Sequence, residues 1–186
     1  MKVWIRNLQK LIPLESKKLR EVAKKVLAEF ALTDAEVSIS FVGDGQIQEL
    51  NRQYLGRDKP TNVLAFSMRE GRFASLHPQL LGDVVISVDT ASRQSSRFGL
   101  DEKETVILLM IHGILHLLGY DHEGMKRGSR PMALKQKELF LKVTSPPTHV
   151  GRGLHKIPAS RRSLRRIKRS TQGPKAKTKI GSFNSK

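Results

Sequence analysis

The chain contains no cysteine among its 186 residues. That excludes a disulfide framework, a thiolate-bound metal and a cysteine nucleophile, and it suits a reducing compartment. Long hydrophobic runs are missing too. The longest, Val106 to Leu118, is interrupted by glycine and histidine and falls short of the ~20 residues that a membrane helix needs. The opening Met-Lys-Val-Trp-Ile-Arg-Asn is too short and polar for the apolar core of a secretion signal. A soluble, cytoplasmic protein is the expectation. Negative charge is absent from only one part of the chain. Lys142 to Lys186 holds 13 basic residues and no acidic one, whereas Met1 to Leu141 holds 21 basic and 17 acidic residues. Most of the net charge of +17 therefore belongs to the last quarter. A tail of one sign favours a polyanion, either nucleic acid or an anionic membrane surface.

The first 142 residues are patterned as a globular domain. Lys2 to Asn7 alternates as a short strand. Ser16 precedes Leu19, Val22, Ala23, Val26, Leu27 and Phe30, the spacing of an amphipathic helix. Val37, Ile39 and Phe41 alternate with serines as a half-buried strand. Asp44 is placed to cap a second helix with Ile47, Leu50 and Tyr54 inward. Val63 to Phe66 and Val84 to Val88 read as further strands, with Gly71 to Leu81 as a loop between them. Asp89 is placed to cap a helix ending near Gly99. Asp101 and Glu104 open the next helix as a capping box. That helix is apolar nearly all round, which predicts a central, buried position, and it stops at Gly119. A last helix starts near Pro131 and runs through Leu134, Leu139 and Phe140. Mixed elements without regular βαβ alternation predict an α+β domain, a small sheet packed with helices. Residues 143–186, rich in Pro, Gly, Ser, Lys and Arg, lack the apolar surface to offset ordering entropy and are expected to be a disordered basic tail.

The chemistry concentrates in His112-Gly113-Ile114-Leu115-His116-Leu117-Leu118-Gly119-Tyr120-Asp121-His122. Histidines four apart leave one face of a helix within reach of one ion. Gly119 lets the chain turn so that His122 can approach from outside the helix. Three imidazoles and a water make the open tetrahedral arrangement of catalytic zinc, whereas a structural site would use four protein ligands. Imidazoles on an apolar helix also need partners, and one metal supplies a partner for all three. The same spacing occurs in metzincin proteases, where the residue after the first histidine is the glutamate that acts as general base. Here that position is Gly113, which cannot move a proton and which leaves room beside the metal for a tetrahedral phosphate. Phosphodiester cleavage needs a Lewis acid, a cation for the developing charge and an activated nucleophile. Zinc supplies the first and the third. Arg57, in the turn-rich stretch before the Val63 strand, is the candidate cation, because its guanidinium suits bidentate phosphate contact.

The segment from His112 to His122 resembles the signature of the YbeY family of metal-dependent rRNA-maturation endoribonucleases. Two more stretches agree in the expected order: Asp58-Lys59-Pro60-Thr61-Asn62-Val63-Leu64-Ala65-Phe66 and Leu81-Gly82-Asp83-Val84-Val85-Ile86-Ser87. The resemblance spans roughly Met1 to Leu141. It implies a compact α+β fold in which the metal helix packs on a small, mostly parallel sheet. It implies one zinc ion on His112, His116 and His122, and a functional basic residue matched to Arg57. It further implies single-strand-specific cleavage in maturation of the small-subunit (16S) rRNA 3′ end and ribosome quality control. The partners would then be single-stranded RNA, the rRNA precursor and the small ribosomal subunit, with no membrane and no DNA. Family members generally stop soon after the last helix, so the resemblance gives residues 143–186 no role.

Two alternatives follow from the same residues. One is a metzincin-like zinc protease, which would spare RNA and cut an unstructured protein. The other is a non-catalytic, RNA-binding ribosome-assembly factor with a structural metal. The densest basic stretch, Arg161 to Arg169, almost free of aromatic residues for base stacking, predicts sequence-blind and salt-sensitive attraction to RNA.

Overall fold

A computed structural model describes residues 1–70, 76–120 and 129–145. Among them the strands are β1 (Lys2–Asn7), β2 (Glu36–Val42), β3 (Val63–Ser67) and β4 (Leu80–Ser87). The helices are α1 (Ser16–Ala28), α2 (Asp44–Leu55), α3 (Val88–Phe98), α4 (Glu102–Leu117) and α5 (Ser129–Thr144). The strands form one sheet in the order β1-β2-β4-β3. β1, β2 and β4 run parallel, and β3 joins β4 antiparallel at the edge. The expected α+β class with a small, mostly parallel sheet is what the chain adopts. Of residues 143–186, expected to form a disordered tail, Val143 and Thr144 instead end α5, and residues 146–186 lie outside the described residues.

The sheet has a thick side and a thin side. Leu19, Ala23, Val26 and Leu27 of α1, Val88 and Ala91 of α3, most of α4, and Met132, Leu139 and Phe140 of α5 share one core with Val37, Ile39, Phe41, Val84 and Ile86. On the opposite face α2 covers a smaller cluster of Val42, Ile47, Leu64 and Val85. Alternation along β4 explains the split, since Val84 and Val85 point to opposite faces.

Local chemistry sets the ends of α4. Asp101 accepts from the Glu104 N–H at 2.7 Å and Glu104 accepts from the Asp101 N–H at 3.1 Å, the predicted capping box, worth about 1 kcal/mol. At the other end Gly119 adopts φ 83°, and its N–H donates to the His116 carbonyl at 2.9 Å. The helix between is buried at ten positions, including Val106, Leu109, Ile111, Gly113, Ile114 and Leu117.

Several expectations need correcting. Asp44 is the first residue of α2 and does not cap it; Gly43 holds the cap position. The Asp44 carboxylate instead accepts from Ser87 Oγ at 2.5 Å, Thr90 Oγ1 at 2.7 Å and Arg93 Nη2 at 2.6 Å. Asp89 does not cap α3 either. Ser87 does, accepting from the Thr90 N–H at 3.1 Å, while Asp89 accepts from the Asp44 N–H at 2.8 Å. The two helix starts thus pin each other. β4 begins at Leu80, inside the stretch expected as a loop. Tyr54 is 52% exposed and meets Phe66 edge-on, and Leu134 is exposed because α5 turns Met132, Leu139 and Phe140 inward.

Candidate metal centre

α4 packs tightly against the sheet at Gly113. A Cβ there would stand 2.4 Å from Val84 Cγ1 and 3.2 Å from Val63 Cγ2, the first well inside any real contact distance. The missing side chain is therefore required by helix–sheet packing. This revises the expectation that it clears space beside the metal, because the position faces Val84 and Val63. A glutamate base could not occupy it without moving the Val84 side chain.

One residue round the helix, His112 is half-buried and so, one turn on, is His116. Their rings meet edge-on at 82°, with centroids 4.7 Å apart. The Nε2 atoms lie 3.1 Å from each other. Two imidazoles bound to one tetrahedral zinc at ~2.0–2.1 Å place their nitrogens about 3.3 Å apart, so the pair matches a shared ion closely. On the far side of its ring, His112 Nδ1 meets Gln136 Oε1 of α5 at 3.0 Å. Gln136 Nε2 donates to the Leu108 carbonyl at 3.4 Å. The donor set is nitrogen, pre-aligned and partly removed from water, and it suits zinc better than a hard oxygen-seeking cation.

The third expected ligand, His122, lies outside the described residues. Among the described residues no cluster of three His, Asp or Glu side chains is assembled. Tyr120, the last residue before that segment, is held by its N–H on the Leu115 carbonyl at 3.0 Å and by an edge-on contact with Phe30.

Arg57 sits in the connection between α2 and β3, half-buried. Its backbone is fixed: the N–H donates to the Asn51 carbonyl at 3.2 Å, and its carbonyl accepts from Lys59 at 3.0 Å. Asn51 is 2% exposed and also donates through Nδ2 to the Lys59 carbonyl at 2.7 Å, so one buried amide pins the whole turn. Among the described residues the guanidinium itself joins no hydrogen bond or ion pair, and none links it to His112 or His116. A hollow of 640 Å³ lined by Met1, Lys2, Thr33, Glu36, Arg69 and Gln79, among others, includes none of these candidate residues.

Asn51 and Gln136 are the site-supporting residues that sequence reasoning missed. Gln136 carried a signal, being a polar residue on the stripe marked by Met132, Leu139 and Phe140. Asn51 carried none.

The family model described as Endoribonuclease YbeY matches residues 4–144. Relatives named Endoribonuclease YbeY include that of Syntrophotalea carbinolica, 45% identical over 76% of this chain and 95% of its own length. That of Geobacter metallireducens is 43% identical over 75% of this chain and 94% of its own. A Thermotoga maritima protein solved in solution superposes with a TM-score of 0.54 at 29% identity, covering 76% of this chain and 88% of that one. A helix-bearing histidine pair set on a four-stranded α+β scaffold lies within the region that these matches cover. The chain belongs to the YbeY endoribonuclease family.

Proposed function

We propose that the chain is a zinc-dependent endoribonuclease that cuts single-stranded RNA, with His112, His116 and His122 holding the metal and Arg57 balancing charge at the phosphate. The observation that carries this is the Nε2–Nε2 approach of 3.1 Å between His112 and His116. Zinc bound there would supply a Lewis acid for a phosphate oxygen and lower the pKa of a bound water. The chain's part is to aim the imidazoles, to keep the helix against the sheet through Gly113, and to offer Arg57 to the charge that develops as the ester breaks. A guanidinium without a carboxylate partner among the described residues is available for that contact. The substrate assigned by the resemblance is the small-subunit (16S) rRNA precursor near its 3′ end, in the cytoplasm and on the small ribosomal subunit. No described helix is long and apolar enough to cross a membrane. A metzincin-like reaction is disfavoured because position 113, where that mechanism needs a glutamate base, is glycine.

The deciding experiment is cleavage of a single-stranded RNA by zinc-loaded wild type, His116→Ala and Arg57→Ala, with product ends identified. His116→Ala should lower cleavage by about three orders of magnitude, and Arg57→Ala should lower it about 100-fold, the cost of losing one preorganised charge-stabilising donor. Full activity in a folded, zinc-free His116→Ala protein would end the proposal. A 2′,3′-cyclic phosphate end would assign the attack to the RNA's own 2′-hydroxyl instead of water.

A further inference from the structure

The two ring nitrogens of His112 have different neighbours. Nδ1 lies 3.0 Å from Gln136 Oε1 on α5, and Nε2 faces His116 at 3.1 Å. The Gln136 amide is oriented by its second contact, at 3.4 Å to the Leu108 carbonyl. A carbonyl only accepts, so the atom on Leu108 must be the amide nitrogen and the atom on His112 must be the amide oxygen. That oxygen in turn requires a proton on Nδ1. His112 is thereby held as the Nδ1–H tautomer, and its ring lone pair is on Nε2, the atom shared with His116.

Gln136 is itself well anchored. Met132, Leu139 and Phe140 bury the same helix against the core. Lys142 pairs with Glu29 of the segment after α1 at 2.6 Å, and the Lys135 ammonium lies 5.5 Å from the Phe30 ring centroid. The Gln136 side chain needs only to extend from a fixed backbone to reach both partners.

We propose that Gln136 is the positioning residue of the metal centre: it locks the tautomer and ring angle of His112 so that Nε2 is always the ligating atom. This rests on the metal reading above. An imidazole without that acceptor divides its population between two tautomers and swings about its own axis, and only one arrangement binds. The centre is thus shared between helices. α4 supplies two of the ligands, His112 and His116, and α5 supplies the lock, so metal affinity depends on the docking of the last helix.

The test uses the full chain and three variants: Gln136→Leu, Gln136→Asn and Gln136→Glu. Zinc affinity is measured by competition with a chromophoric chelator. The His112 tautomer is read in metal-free protein by long-range 15N–1H correlation, and folding by thermal melting. Wild type should show Nδ1–H. Gln136→Leu should lose about 10- to 100-fold in zinc affinity and shift His112 toward Nε2–H. Gln136→Glu, whose carboxylate accepts the same proton, should bind at least as tightly as wild type. Gln136→Asn withdraws the oxygen by one methylene and decides the matter if Gln136→Leu does not fold. A folded Leu or Asn variant with wild-type affinity and tautomer overturns the proposal. Wild-type protein that binds no zinc overturns the metal reading instead, and the tautomer measurement tells the two failures apart.

Discussion

Two polar clusters are built into this domain, and they are satisfied in opposite ways. Where α2 and α3 begin, the Asp44 carboxylate is met by three donors from Ser87, Thr90 and Arg93. Acceptor faces donor at each contact, and nothing from outside is needed. On α4, nitrogen faces like nitrogen across 3.1 Å. With the His112 proton committed to Gln136, the contact has room for one proton or for one cation. A closed cluster of the first kind stabilises a fold. An arrangement of the second kind, set between the buried apolar positions of α4, is the one that the proposed metal would complete.

That contrast is broken most strongly by exchanging the effects of two substitutions. His116→Ala should reduce RNA cleavage by about three orders of magnitude, several kcal/mol of lost Lewis-acid assistance, and leave the melting of metal-free protein almost unchanged. Asp44→Ala should do the reverse. It strands the fully buried Ser87 hydroxyl and the Thr90 hydroxyl without their acceptor, costing about 1.5–3 kcal/mol, measurable by urea unfolding. Equal losses of stability in both variants would erase the distinction.

A smaller effect sharpens it through pH. Burial pushes the Asp44 carboxyl up, but hydrogen bonds from Ser87, Thr90 and Arg93, together with the Arg93 charge, outweigh it and hold the group below its ordinary 3.8. A folded-state value below the unfolded one means that the contribution is fully present above about pH 3.8 and fades as pH falls through the folded value. Asp44→Asn should therefore flatten the acid limb of the stability curve and leave its neutral part lowered. An acid limb identical to wild type would show that the cluster does not titrate with folding.

The least effect on the fold, and the clearest separation of attraction from chemistry, is expected from ending the chain after Ser145, just past α5. RNA affinity at low salt should fall, and its salt dependence should become shallower by about 0.7 for each phosphate that the tail had neutralised. Melting of the remaining domain should stay the same. Unchanged affinity would remove the tail from RNA binding.

Legibility in the sequence followed the strength of local patterning. Strand alternation in Lys2–Asn7 and Glu36–Val42 and the capping box of α4 are period and end signals, and each element stands where they placed it. The i, i+4 histidines share one face because the helix repeat makes them do so. Long-range partnerships were invisible. Asp44 and Asp89 look like helix caps by position, yet each is taken by a partner over forty residues away. Gly113 read as space for a ligand because nothing in the sequence says which strand lies under it. Gln136 stood out as a polar residue on an apolar stripe, but its partner on α4 showed only once α5 was packed there.

The contact of Gly113 with Val84 couples two positions as a single unit of volume. Val84→Ala opens the room that Gly113→Ala would fill, so each change alone should be penalised and the pair together partly forgiven. Substitution at either site is then conditional on the other, which makes drift at these two positions correlated in time. A library that varies residue 113 alone will record intolerance, whereas one that varies 84 and 113 jointly will find the passage between them.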